Sequence, residues 1–144
     1  MDTVIAAFEN PRFARQLREL LEGSGVAQVV PCTSGDQVRR LLQRQSAGCV
    51  VCGPRLTDGP SEWLLDDLPP SCMLLVAGPQ HQLDLWSSPD VFKLPTPLRR
   101  EETLLTVRLL LQFSRRMERA LRTSRAASEQ REIDRAKRLL MERR

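Results

Sequence analysis

The chain has 144 residues, 41% of them hydrophobic and only 4% aromatic, which suits one ordinary domain with an aliphatic core plus an appendage. It lacks any run of about 18 apolar residues, which excludes a membrane-spanning helix, and its first residues, MDTVIAAFENPRF, lack the pattern of a signal peptide, so the cytoplasm is the expected compartment. Residues 1–98 carry eight basic against eleven acidic side chains, a net of −3, whereas residues 99–144 carry fourteen against seven, a net of +7; a basic extension on an acidic body points to an acidic partner such as nucleic acid, the alternative being a solvated helix face.

Taken in chain order, Thr3 to Phe8 (TVIAAF) reads as a strand. Asn10-Pro11 supplies a helix cap and a proline at the first helical position. The following helix places Phe13, Leu17, Leu20 and Leu21 on one face and ends at Gly23-Ser24-Gly25. Ala27 to Cys32 is a second strand, and Ser34 caps a helix carrying Val38, Leu41 and Leu42. Gly48 to Cys52 is the third strand. Its Cys49-Val-Val-Cys52 has a spacing used for zinc or redox chemistry. On a strand, however, residues three apart point to opposite faces, so Cys49, Cys52, Cys32 and Cys72 are expected as buried free thiols.

A loop rich in Gly and Pro (Gly53, Pro54, Asp58, Gly59, Pro60) precedes a short helix around Trp63 to Leu68, which Pro69-Pro70 ends. Cys72 to Ala77 is the fourth strand. Residues 79–90 hold at most a short helix, and Val91 to Leu94 is the fifth strand. Five short apolar strands alternating with helices predict an α/β fold with a parallel sheet covered on both faces.

From Thr96 onward the pattern changes. Thr96-Pro97 reads as a cap and first helical residue, and no glycine or proline follows Leu98. As one helix, the segment from Arg99 would span about 69 Å, far more than the sheet needs. Leu104, Val107 and Leu111 are placed to pack on the domain. Leu110, Phe113, Met117 and Ala120 continue as a heptad-spaced seam. A second seam, Ile133, Ala136 and Leu140, falls in another register, which predicts a bend, a hinge or a loosely packed stretch within 122–131. Three regions follow: an α/β domain over 1–98, a long helix and coiled-coil linker over 99–130, and a terminal segment over 131–144. The predicted dimer helix uses Leu104, Val107, Leu110, Leu111, Phe113, Met117 and Leu121.

The order of elements, with GPRLTDG (Gly53 to Gly59) after the third strand and FKLPTP (Phe92 to Pro97) around the fifth, resembles the receiver domain of two-component response regulators over about residues 3–112. The resemblance implies a flavodoxin-like five-stranded parallel sheet. In receivers an aspartate nucleophile ends the third strand, two acids hold Mg²⁺, and a hydroxyl and a lysine read the phosphoryl group. Here the nucleophile position falls on Gly53, the acidic pair on Phe8 and Glu9, the hydroxyl on Val76 or Ala77, and the lysine on Lys93. Asp58 is expected to be a turn residue. Glycine cannot accept a phosphoryl group. The head is therefore expected to be a pseudo-receiver, neither enzyme nor cofactor binder. Receivers commonly pair through their fourth helix, fifth strand and fifth helix; with the fourth helix truncated here, pairing through the long fifth helix is expected.

The last residues, REIDRAKRLLMERR, resemble the first helix of the ANTAR domain, whose opening pattern is matched by Ile133, Ala136, Lys137, Leu139, Leu140 and Met141; Arg138 stands where glycine is usual. That resemblance implies a transcription antitermination regulator that binds paired hairpin loops in nascent leader RNA, with Ala136, Lys137, Arg138 and Met141 as the RNA-binding residues of this chain. The family's domain continues with two more helices, so a chain ending at Arg144 is expected to be truncated and to bind RNA weakly or not at all. The expected partners are a second copy, RNA in the complete protein and a regulatory protein, with no membrane. Two rival readings stand beside this one: a protein–protein interaction module of a signalling pathway without direct RNA binding, and a Mg²⁺-dependent phosphotransfer domain with an unusual acceptor.

Overall fold

A computed structural model describes residues 1–89 and 91–142, with side chains described through residue 137 in the terminal helix. Five strands form one parallel sheet: β1 (Thr3–Ala7), β2 (Gln28–Cys32), β3 (Cys49–Cys52), β6 (Met73–Gly78) and β7 (Phe92–Pro95), in the order β2-β1-β3-β6-β7. Between β3 and β6 the chain makes a two-residue hairpin, β4 (Arg55–Leu56) with β5 (Gly59–Pro60), and then a 3-10 helix over Ser61–Asp67. Four α-helices complete the fold: α1 (Pro11–Gly23), α2 (Gly35–Arg44), α3 (Gln80–Leu83) and α4 (Arg100–Glu142).

The three central strands, β1, β3 and β6, are buried because they are apolar on both faces. Along β3, Cys49, Val50, Val51 and Cys52 are all 1% exposed or less. Alternation sends Cys49 and Val51 to the core under α1 and α4, and Val50 and Cys52 to the core under α2, the 3-10 helix and α3. The two cysteines thus face opposite layers, and all four thiols are free and buried. Burial pushes Cys52 and Cys72 up to about 12 and Cys49 well above the ordinary thiol value, so they are inert hydrophobic groups near neutral pH.

Local signals explain most helix boundaries. Asn10 Oδ1 accepts from the Arg12 amide at 3.0 Å and Pro11 occupies the first turn of α1. The buried face of α1 is Ala14, Leu17 and Leu21; Phe13, expected in the core, is 45% exposed, at the end of the helix where the cavity described below opens. Ser34 Oγ accepts from the Gln37 amide at 3.1 Å, and Val38 is the fully buried residue of α2. Asp58 does more than turn the chain. Its two carboxylate oxygens accept from the Gly35 and Asp36 amides at 2.8 and 3.0 Å, tying the hairpin to the start of α2. Those amides, Gly35 first, hold its carboxyl below the usual aspartate value.

Thr96-Pro97 does not cap α4 as expected: the peptide is cis, and the helix starts at Arg100, whose preceding residue Arg99 accepts the Thr103 amide at 2.9 Å. The first four turns of α4 bury Thr103, Val107, Leu110, Leu111 and Ser114. Val107, Leu110 and Leu111 contribute roughly 1.5–3 kcal/mol each by leaving water. A Cβ on Gly48 would lie 2.7 Å from Leu111 Cδ2, so the glycine admits the helix to the sheet edge. Arg115 Nη1 meets Asp2 Oδ2 at 2.6 Å, a last tie to the head. From residue 122 through 137 every side chain is exposed. The expected irregularity over 122–131 takes no form of a break, since the helix runs uninterrupted to Glu142 and no interruption separates 130 from 131. Among the described residues no helix is long and apolar enough to cross a membrane.

Candidate functional site

Parallel sheets gather the carboxyl ends of their strands at one edge, and the crevice opens where successive connections leave on opposite sides, here between β1 and β3. At that edge lies a cavity of about 420 Å³. Phe8, Glu9 and Asn10 follow β1; Gly53, Pro54 and Arg55 follow β3; Ala77, Gly78 and Pro79 end β6; Thr96 and Leu98 follow β7; Phe13 of α1 and Gln82 of α3 close the sides.

Gly53 is integrated as backbone. Its amide donates to the Ala7 carbonyl at 2.9 Å, and its own carbonyl accepts from the buried Ser61 hydroxyl at 2.6 Å. A Cβ there would stand 3.2 Å from Phe8 Cδ1, so Phe8 packs into the space a longer residue at 53 would need. Phe8, one of the two positions on which the resemblance places the acidic pair, is a buried apolar side chain, 6% exposed. Glu9 is the one acid of the expected pair, and its carboxylate lies 4.0 Å from Arg55 Nε. One carboxylate, already facing a guanidinium, does not fit the oxygen-rich ligand set that Mg²⁺ requires. Among the described residues no three His, Cys, Asp or Glu side chains are grouped to hold a metal.

Of the other positions assigned to the degenerate pocket, Val76 and Lys93 lie outside it. Val76 is fully buried in the core under α2 and α3, and its neighbour Ala77 is the cavity residue. Lys93 sits on the edge strand β7 and donates from Nζ to the Trp86 carbonyl at 3.0 Å. Phe13, Pro54, Arg55, Gln82, Thr96 and Leu98 line the cavity although their order in the chain does not place them there. The Gly-Pro breaks after β3 and β6 were the available signal, because such breaks follow the carboxyl ends of strands.

The seven residues predicted for the dimer helix divide in two. Val107, Leu110 and Leu111 are at most 2% exposed, and Leu104 is partly buried against the same core, so these side chains are engaged within the chain. The outward apolar row is Leu105, Leu109, Phe113 and Met117, at 61, 45, 50 and 42% exposure, with half-buried Leu121 next at the same spacing. The seam starting at Leu110 is thus replaced by a row of fours, because the sheet claims Leu110. Ala136 and Lys137 are exposed on the distal helix; the side chains of Arg138 and Met141 lie outside the described residues.

No protein-family model matches this chain, and no curated protein matches it in sequence. Solved structures do resemble it. One is the signal receiver domain of an HD domain-containing protein from Pseudomonas fluorescens, 16% identical with a TM-score of 0.72, covering 82% of this chain and 92% of that one. A response regulator receiver protein from Sinorhizobium medicae is 18% identical with a TM-score of 0.66, covering 78% and 96%. A response regulator receiver domain protein from Clostridium thermocellum is 13% identical with a TM-score of 0.71, covering 81% and 99%. The chain therefore has the flavodoxin-like receiver fold, with a long C-terminal helix.

Proposed function

We propose that this protein is a non-catalytic regulator of the two-component signalling type, a homodimer whose heads act by position and pairing and whose basic arms belong to an antitermination module that binds hairpin RNA. One observation carries the reading. Gly53, the position to which the receiver resemblance assigns the phosphoacceptor, is packed by Phe8, on a head that extends a helix with an exposed apolar row. A signal that is not covalent must then be a contact.

The row Leu105, Leu109, Phe113, Met117 and Leu121 is the contact between copies. Residues four apart form a ridge inclined to the helix axis, and two such ridges pack with the helices crossing at roughly −50°. The buried residues Val107, Leu110 and Leu111 fix the ridge relative to the head, so pairing orients both arms. Isolated helices are marginal in water, and pairing is what stabilises the exposed arm. The resemblance assigns RNA binding to Ala136, Lys137, Arg138 and Met141, a segment whose cations suit phosphates. The net +7 of residues 99–144 supports this assignment.

Two measurements test it. Labelled acetyl phosphate with Mg²⁺ leaves the protein unlabelled; stable label would revive the phosphotransfer reading. In gel shifts, a form carrying the whole three-helix domain binds a two-hairpin leader RNA with affinity that falls as salt rises, by a log–log slope of about −0.7 per phosphate contacted on single strands. Absence of salt-sensitive binding overturns the RNA assignment in favour of a protein–protein interaction module. That alternative draws on the start of the ridge at Leu105, within the docked part of α4, where a different protein would touch head and helix together.

A further inference from the structure

We propose that the cavity at the carboxyl edge of the sheet binds a small, flat, uncharged aromatic molecule bearing an N–H or O–H donor, and that the head responds to this ligand. The inference rests on the reading that Gly53 removes phosphorylation from this edge; it depends on neither RNA nor pairing.

Size and place come first. A volume of about 420 Å³ lies within the range of ligand pockets, and the position is the crevice where α/β sheets take ligands. The walls are preformed. Gly53 lets Phe8 approach, and Gly78 lets Pro54 approach so closely that a Cβ would be 2.7 Å from Pro54 Cγ and 2.9 Å from Cδ. Neither proline nor the buried Phe8 ring has freedom to close the space, so little ordering cost falls on binding.

The lining selects the chemistry. Phe8 and Phe13 rings stand 5.8 Å apart at 34°, and Phe13 is 45% exposed at the cavity, an aromatic surface open to a flat ligand. The two charged lining groups, Glu9 and Arg55, face each other at 4.0 Å. The lining therefore carries no net charge to offset the desolvation of a charged ligand. Gln82 Oε1 reaches in over Gly78, 4.0 Å from where a Cβ there would sit, and is the acceptor for the ligand's donor.

Indole is the probe: flat, uncharged, with one N–H. In ¹H–¹⁵N spectra of the intact chain, indole shifts the Gly53, Gly78 and Gln82 amides saturably. Phe13→Ala, at an exposed position, weakens binding about tenfold through loss of ring contact, and 1-methylindole, which lacks the donor, binds several-fold more weakly. No saturable shift at these amides up to the solubility limit overturns the site, as does binding that Phe13→Ala leaves unchanged. Equal binding of 1-methylindole overturns the role of Gln82. Label from acetyl phosphate would instead defeat the underlying reading, so the two failures are distinct.

Discussion

The two halves of α4 are equally helical for different reasons. Over residues 100–114 the helix is held by what it buries, Val107, Leu110 and Leu111 lying beneath it against the sheet. Over residues 122–137 it buries nothing, and its support is local: no glycine or proline, and four-apart pairs such as Arg122 with Glu118 at 2.9 Å and Gln130 with Asp134 at 3.2 Å. Such pairs contribute a few tenths of a kcal/mol each. The first half therefore has a fixed place on the head, while the second has a shape and no place of its own. Packing specifies position; propensity alone does not.

The sharpest way to break this comparison is to truncate one residue from each side of the helix. Leu110→Ala should cost about 2–5 kcal/mol in urea unfolding of the dilute protein, whereas Phe113→Ala, half-exposed, should cost about 0.5 kcal/mol. Equal costs would mean that the outward row also packs on the head. The head's own core is next tested by alkali. Burial raises Cys52 and Cys72 to about 12 and Cys49 well above its ordinary value in the folded state, while the unfolded chain releases these protons near 9. Stability is then full below pH 9 and falls as pH climbs from 9 towards 12, by about 1.4 kcal/mol per pH unit for each thiol. The chain has no tyrosine and two lysines, so little else titrates in that window. A flat profile from pH 8 to 11 would contradict the burial of these thiols.

A smaller effect is expected at the hairpin. Asp58→Ala should cost about 1 kcal/mol by uncapping α2. Because the Gly35 and Asp36 amides lower its folded value, the difference from wild type is full above the ordinary aspartate value of 3.8 and shrinks as pH falls through the folded one. A pH-independent difference would point to some other cause. The smallest effect belongs to Thr103, whose buried hydroxyl has no hydrogen-bond partner among the described residues. Thr103→Val should leave the melting temperature unchanged or raise it, with a gain of up to about 1 kcal/mol; a clear loss would show that the hydroxyl has a role.

The five strands were legible because each is a short apolar run between turn residues, and α1 and α2 because Asn10 and Ser34 are local caps whose geometry needs only their neighbours. The hairpin β4–β5 was not, since two-residue strands carry no periodicity; the short helix expected around Trp63 to Leu68 is present as a 3-10 helix over Ser61–Asp67. Spacing alone also leaves the outward side of α4 open. Both Leu110 and Leu109 are apolar, and only the sheet decides which one turns inward. At the site, Gly53, Phe8 and Glu9 could be placed from order along the chain, because strand ends converge in any parallel sheet. Val76 could not be told from Ala77, because a one-residue shift along a strand reverses the face. Gln82 and Leu98 reach the cavity only through tertiary placement.

Sedimentation of the intact chain over a wide concentration range tests the central claim most directly. The account predicts a dimer that the double substitution Phe113→Asp, Met117→Asp converts to a folded monomer. A wild-type protein that stays a single protomer at the highest soluble concentration would contradict it.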